Sequence, residues 1–236
     1  MINTPPVIQS LTAGAVRIEA GVELEIAASV QDAESALEQL TYTWSAQPAN
    51  GTFLGSGTRV RWRAPVGSPT PDTYTLTLTV SEKYVSEGVQ RENSVSSSVQ
   101  VRYNDSIVEI SGITSQFLTD FGTYSVTPEL CVRNFSDNCP GKADELEDVR
   151  NNRRLFQILS ATFTISSIVL NSDRTHANIT APCTFVDIEK ATGRRETVTG
   201  TCKLRAVYES FRWYLCESRF EWSGTTYGFS LRYRVP

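Results

Sequence analysis

Histidine occurs once in this chain of 236 residues, methionine once, and acids outnumber bases by only four, 26 against 22. A single imidazole, His176, excludes a multi-histidine metal site and leaves a serine nucleophile one base to draw on. No Cys-x-x-Cys pair, Gly-x-Ser-x-Gly elbow, phosphate loop or dinucleotide fingerprint is present, so neither metal nor cofactor is expected. No run of about 18 apolar residues exists, so no transmembrane segment is expected. A basic face for nucleic acid is missing too, since residues 1–104 carry 7 bases against 10 acids and the remainder 15 against 16. Arg59, Arg61 and Arg63 alternate along one strand and read as a solvated face. The start, Met1-Ile2-Asn3-Thr4-Pro5-Pro6, lacks the charged and apolar regions of a secretory signal. Met1 therefore reads as a start residue set before a mature chain.

What is present is β pattern in two styles. From Val7 to Tyr103 the chain is dense in Thr, Ser and Val, with turn signals at the spacing of a small sandwich. Seven strands are expected there: Val7–Leu11, Val16–Ile18, Val22–Val30, Leu40–Ala46, Thr58–Arg63, Thr73–Ser81 and Ser94–Tyr103. Leu24, Ile26 and Ala28, like Leu76, Leu78 and Val80, recur at every second place, which gives each strand one buried face. Asn104-Asp105-Ser106 is a polar junction, and the period then changes. Ile110, Ile113, Phe117 and Phe121 line one side of a helix ending near Gly122. Thr127 caps a second helix that opens on Pro128 and Glu129 and runs to about Phe135. A third, about Lys142 to Arg153, starts acidic, ends basic and turns Leu146 and Val149 inward.

The stretch Leu155–Trp222 reads as four consecutive strands in a meander. Leu159, Ala161, Phe163 and Ile165 share a face, as do Ala177, Ile179, Ala181, Cys183 and Phe185, then Val198, Cys202, Leu204 and Ala206. The last strand alternates Tyr214, Cys216, Phe220 and Trp222 with Trp213 and Leu215. A two-residue turn at Thr192-Gly193 sets Cys183 opposite Cys202 across the ladder. Of the five cysteines, the favoured disulfides are Cys131 with Cys139 and Cys183 with Cys202; Cys216 is left free or takes the place of Cys183. Disulfides imply an extracytoplasmic setting: periplasm, outer-membrane surface or secreted, as a lipoprotein or free.

The order Asn3-Thr4-Pro5-Pro6, Asp32, Leu40-Thr41-Tyr42-Thr43-Trp44, Gly51-Thr52-Phe53 and Tyr74-Thr75-Leu76-Thr77-Leu78-Thr79-Val80 resembles bacterial Ig-like domains of the PKD and cadherin-like kind. The Trp-Asp-Phe-Gly-Asp-Gly segment of true PKD repeats is missing. The resemblance implies that Trp44 fills the space between two sheets and that Tyr74 makes a corner. It also brings Asn3 near Asp32 and Glu34, where calcium is weighed and set aside for want of an Asp-x-Asp-x-Asp array. Phe117-Leu118-Thr119-Asp120-Phe121, the segment Asn151 to Ile158, and Trp213 to Phe220 are similar to the NTF2-like, cystatin-like cone.

The expected architecture is therefore two domains: an all-β Ig-like sandwich over 1–104 and an α+β NTF2-like domain over 105–236, with three helices on a four-stranded antiparallel meander. Phe163, Phe185, Leu204 and Tyr214 are the candidate ligand-lining residues, and Asp120 and Asp187 the acids to inspect. The leading functional expectation is a non-enzymatic envelope or secreted protein whose Ig-like spacer presents a module for a protein, glycan or small hydrophobic ligand. The rivals are an isomerase or lyase using the NTF2-like cavity, with a carboxylate as its proton shuttle, and a structural subunit of a surface assembly.

Overall fold

The structure is a computed structural model describing residues 3–223; Met1 and the last thirteen residues of the expected second domain lie outside the described residues. The chain divides into two compact units, Met1–Asp105 and Ser106–Pro236. Most of the assigned structure is β, with three α-helices among the described residues.

Eight strands build the first unit: β1 (Val7–Ala13), β2 (Arg17–Glu19), β3 (Glu23–Gln31), β4 (Thr41–Gln47), β5 (Thr52–Leu54), β6 (Arg59–Arg63), β7 (Asp72–Ser86) and β8 (Val89–Asn104). They form two sheets, ordered β1-β3-β6-β5 and β2-β8-β7-β4. Leu24, Ile26, Val60 and Trp62 from one pack with Ile18, Tyr74, Leu76, Val101 and Tyr103 from the other, and Val30 meets Leu40, Leu78 and Val80 in a second cluster, which makes the unit a sandwich. The sequence places a loop between the last two strands, yet β7 and β8 pair without interruption to Ser86↔Val89. Glu87 and Gly88 both have positive φ, 53° and 74°, the backbone of the primed two-residue hairpin turn whose twist matches that of the strands.

The fully buried tryptophan is Trp62, while Trp44 packs between the sheets against Phe53 and both core clusters. Trp62 is fully buried, its ring 5.0 Å from Tyr74. Trp44 lies on β4, the last strand of its sheet, where it is only half-buried and its Nε1 donates to the Gly57 carbonyl at 3.0 Å. Gly51 is what lets the chain cross Trp62. Its φ is +80°, and a Cβ there would lie 2.5 Å from the indole nitrogen. Gly51→Ala is expected to cost about 2 kcal/mol through backbone strain and overpacking, read as a lowered urea midpoint for the sandwich.

In the second unit α1 (Ser106–Gly122), α2 (Pro128–Cys131) and α3 (Gly141–Leu155) precede β9 (Phe156–Phe163), β10 (Ser167–Leu170), β11 (His176–Glu189), β12 (Arg195–Glu209) and β13 (Arg212–Trp222). The sheet runs β10-β11-β12-β13, with β9 also on β11. β9 and β10 pair with opposite ends of β11 and so make one interrupted edge, broken near Pro182, whose missing N–H cannot serve a ladder. Ile110, Phe117 and Phe121 of α1 are buried as the spacing predicts. Trp213 fastens the start of α1, donating from Nε1 to Ser106 Oγ at 2.9 Å. Arg153 of α3 caps its end, donating through Nη2 to the carbonyls of Asp120 and Thr123 at 3.0 and 3.1 Å, where a cation complements the helix dipole.

Thr127 does cap α2, accepting from the Leu130 amide at 3.4 Å, but the helix stops at Cys131 instead of continuing to Phe135. The chain there turns to the edge of the sheet. Leu215 N–H bonds to the Asn134 carbonyl and Ser136 N–H to the Leu215 carbonyl, both at 2.8 Å.

Two bulges reverse the expected faces. Asp187 pairs with Ile158 and Val186 with Ser160, so Leu159 is extra in β9; it is exposed, while Phe156 and Ile158 face inward with Ala161 and Phe163. Arg205 pairs with Glu217 and Ala206 with Leu215, so Cys216 is extra in β13. Trp213 and Leu215 face the core on one side of that bulge, Phe220 and Trp222 on the other. The one added residue puts every later side chain of the strand on the opposite face from the one that simple alternation assigns it.

The expected cysteine pairing is corrected as well. Cys139 is bonded to Cys216, while Cys131, Cys183 and Cys202 are buried thiols. The hairpin loop is four residues, Lys190 to Gly193: Glu189 N–H bonds to the Arg194 carbonyl at 2.9 Å and Gly193 N–H to the Glu189 carbonyl at 2.8 Å. The ladder is thereby shifted by two, so that Cys183 faces Gly200 and Cys202 faces Ala181. Cys131 points into the core of the unit, with Arg153 Nη2 at 3.2 Å from its sulfur, instead of toward Cys139.

Candidate functional site

The inner face of the second unit's sheet carries a connected set of rings. Phe117 lies 5.0 Å from Phe135 and 6.2 Å from Phe121, centre to centre. Phe121 in turn stacks on Phe220 at 5.2 Å and meets Phe185 edge-on at 5.6 Å. Phe220 and Trp222 stack at 5.7 Å. The fold produces these contacts: α1 places residues 117 and 121 one turn apart, β11 turns Phe185 inward, and the Cys216 bulge rotates Phe220 and Trp222 onto the same side. Offset and edge-on pairs of this kind stabilise by about 0.5–1.5 kcal/mol each beyond the area they bury.

Three acids are buried among this packing. Asp120, on α1, is held by Arg133 at 2.9 Å and accepts from Gln116 Nε2 at 2.9 Å, an arrangement that positions it and occupies its charge. Asp187 is on the inner face of β11, next to Phe185 in the alternation and directly opposite Glu196. Its Oδ1 is enclosed with no hydrogen-bond partner, and burial, assisted by the charge of Glu196, pushes its carboxyl up to about 6. Glu196 is itself paired with Arg194. Glu145, on the inner side of α3, is more deeply buried, and burial pushes it up to about 7 against the opposing hydrogen bond from Ser218 Oγ. Sequence reasoning singled out Asp187 and missed Glu145, because an acid in the first turns of a helix reads as dipole complementation.

A cavity of about 340 Å³ opens between α1 and β9. Its walls are Leu118, Thr119 and Gly122 with the adjoining Thr123 on one side, and Ala161, Thr162 and Phe163 on the other. The two walls come close where Gly122 crosses Ala161, since a Cβ on Gly122 would meet that of Ala161 at 2.5 Å. No side chain in this lining titrates in the physiological range, so the cavity offers methyls, a ring and three hydroxyls to a ligand.

The four expected lining residues are not brought together. Phe163 lines the cavity. Phe185 sits inside the ring set and Leu204 is buried opposite Ile179 and Ser218. Tyr214 is on the other face of β13 from Trp213 and Leu215, with the Arg212 guanidinium 4.6 Å from its ring centre; it is corrected from a lining residue to an outward one. His176 is exposed, its Nδ1 2.9 Å from Thr175 Oγ1. In the first unit Asp32 Oδ1 accepts from the Glu34 and Ser35 amides at 2.9 and 2.7 Å, a turn role, while Glu34 accepts from Thr4 Oγ1 at 2.6 Å.

No protein-family model matches the chain, and no curated protein matches it in sequence. Solved structures similar to it are NTF2-like and ketosteroid isomerase-like proteins covering about half of it. A ketosteroid isomerase-like protein from Erwinia carotovora atroseptica is 13% identical, with TM-score 0.45 over 52% of this chain and 99% of its own. An NTF2-like superfamily protein from Salmonella enterica serovar Typhimurium is 12% identical, with TM-score 0.41 over 54% of this chain and 96% of its own. A protein assigned as a scytalone dehydratase, from Novosphingobium aromaticivorans, is 13% identical, with TM-score 0.42 over 52% and 89%. Likeness at that level transfers no residue role or activity, and the site rests on the geometry above.

Proposed function

We propose that this chain is a non-catalytic binding protein of an extracytoplasmic compartment, in which an Ig-like sandwich over 1–104 acts as spacer for an NTF2-like unit over 105–236. The ligand is a small hydrophobic molecule, or an apolar group presented by a protein or glycan, received between α1 and β9. The observation that carries this is the lining of that cavity, which has surface for binding and no acid or base to move a proton. The Cys139–Cys216 bond supports the compartment. Titration with the hydrophobic dye 1-anilinonaphthalene-8-sulfonate tests the site. Saturable binding to the folded protein is expected, with at least tenfold weaker affinity in Thr119→Trp, where an indole on the exposed helix position blocks the mouth. Equal binding by both proteins overturns the assignment.

The isomerase or lyase reading has one observation in its favour, the Asp187 carboxyl, whose enclosed Oδ1 has no hydrogen-bond partner and whose proton affinity is raised. Under that reading a ketone or hydroxy substrate is turned over with a pH profile breaking near 6, and Asp187→Asn abolishes turnover without unfolding the chain.

A further inference from the structure

The α1–β9 cavity is lined by three consecutive residues of one strand, Ala161, Thr162 and Phe163. Side chains alternate along a strand, so three in a row border one space only where the backbone edge of the strand is itself part of the wall. The ladder fixes which groups that edge presents. Thr164 N–H donates to the Pro182 carbonyl at 3.2 Å, and the register continues with Phe163 opposite Cys183, Thr162 opposite Thr184 and Ala161 opposite Phe185. Bonded and non-bonded pairs alternate in an antiparallel ladder. Thr162 and Thr164 therefore bond to β11, while Ala161 and Phe163 turn N–H and C=O away from it. Among the described residues β9 has no strand on that side, and none of these four groups has a hydrogen-bond partner.

We propose that the ligand of this site is an extended peptide segment, which adds to the sheet as a strand along Ala161 to Phe163 and sends an apolar side chain between α1 and β9. The proposal rests on the reading of that cavity as a binding site and narrows its ligand to polypeptide. Two donors and two acceptors repeat on the edge at the spacing of alternate strand residues, about 6.8 Å. An extended backbone carries its own groups at the same interval, so main-chain bonds supply affinity and the pocket selects the side chain. A compact apolar molecule would leave all four groups unpaired, at a cost wherever it shuts out water. The walls facing the edge, Leu118, Thr119, Gly122 and Thr123, are uncharged, and the segment that matches them carries no charge over the residues that pair.

The edge is also built to receive a strand. Proteins commonly blunt exposed edges with lysine, proline or a bulge, yet Ser160 to Phe163 pairs with β11 in regular register and holds neither lysine nor proline. The opposite edge of the same sheet is taken by the protein's own chain at Leu215, whose N–H and carbonyl bond to Asn134 and Ser136. Gly122 keeps the approach to the Ala161 amide clear, since even a Cβ there would stand 3.9 Å from that nitrogen.

The test uses the full chain and a synthetic peptide with blocked ends, alternating valine and threonine about a central phenylalanine, with a lysine at each terminus outside the pairing residues. Saturable binding is expected, with displacement of 1-anilinonaphthalene-8-sulfonate and at least tenfold slower hydrogen exchange at the Ala161 and Phe163 amides, read by nuclear magnetic resonance. Methylating the peptide's amide nitrogens along one edge, and in a second peptide along the other, keeps every side chain and is expected to weaken binding at least tenfold in one of the two. Ala161→Pro removes one outward N–H that the β9–β11 ladder does not use, and at least tenfold weaker peptide binding is expected. Where that variant fails to fold, the methylated peptides make the same test on the unaltered protein. Dye uptake without peptide binding, peptide binding that leaves both amides exchanging freely, or equal binding of the parent and both methylated peptides overturns the proposal while the cavity reading stands. Failure of dye and peptide alike overturns that reading with it.

Discussion

Replacing both Cys139 and Cys216 with serine is expected to lower the stability of the second unit by about 4 kcal/mol. The bond joins residues 77 apart in sequence, and a cross-link closing so long a loop removes conformational entropy from the unfolded chain worth roughly 4–5 kcal/mol at 25 °C. The effect is concentrated in this unit, because the bond ties the segment between α2 and α3 to the bulge in β13. Gly141, the first residue of α3, packs so closely there that a Cβ would lie 2.3 Å from the Cys216 carbonyl oxygen. Without the bond, both the start of α3 and the Phe135–Leu215 bridge lose their anchor. Urea unfolding followed by far-ultraviolet circular dichroism should show the transition of this unit moving to lower denaturant while that of the sandwich holds. A shift under about 1 kcal/mol would mean that the unfolded chain is already compact across this loop, or that the bond is strained in the fold.

Periodicity was a sound guide where it ran without interruption and misled where a single residue was inserted. The face of α1 was legible from Ile110, Phe117 and Phe121 because a helix of 17 residues repeats its pattern over several turns. β11 was legible because Ala177 to Asp187 alternates without a break. β9 and β13 were not, since Leu159 and Cys216 are each one residue too many, and nothing in side-chain chemistry announces a bulge that the partner strand imposes. Those two insertions account for the misplacement of Leu159 and Tyr214. The disulfide was misjudged for the same kind of reason: a loop of four residues in place of two moved the ladder, and the bulge at Cys216 presented its sulfur to the α2–α3 segment. Trp62 was hidden among the arginines of β6. They lie on the opposite face from it, in ion pairs with Glu23 and Glu25 at 2.9 Å or less. The acid at Asp187 was legible as an inward residue of an alternating strand, whereas the hydrogen-bond partner of Glu145, Ser218, faces inward only because of the bulge.

Glu145→Gln is expected to stabilise the protein by about 3 kcal/mol at pH 8 and to change little at pH 4. Glu145 is nearly fully buried, and burial raises its carboxyl from an ordinary value of 4.5 to about 7, with a smaller push from Asp148. The folded protein therefore keeps a proton that the unfolded chain has released between those two values. That difference sets the sign. Below about pH 4.5 both states are protonated and the full stability is present; between 4.5 and 7 the unfolded chain ionises while the folded carboxyl keeps its proton, so stability falls, and above about 7 both are ionised and the loss is complete. A difference of about 2.5 in pKa corresponds to roughly 3 kcal/mol at about 1.36 kcal/mol per unit. Glutamine reproduces the neutral form, and its carbonyl can still accept from Ser218 Oγ, so it removes the loss and keeps the bond. Measured from pH 4 to 8, the wild type should lose stability with a steeper slope than the variant, the two curves separating progressively above pH 5. Asp187, raised by its own burial, adds a parallel decline below about pH 6 that both proteins share, so the difference between the curves isolates Glu145. Parallel curves across that range would show that water or a shifted helix already solvates the Glu145 carboxylate, and the interior between α3 and β13 would then be wet where its packing makes it dry.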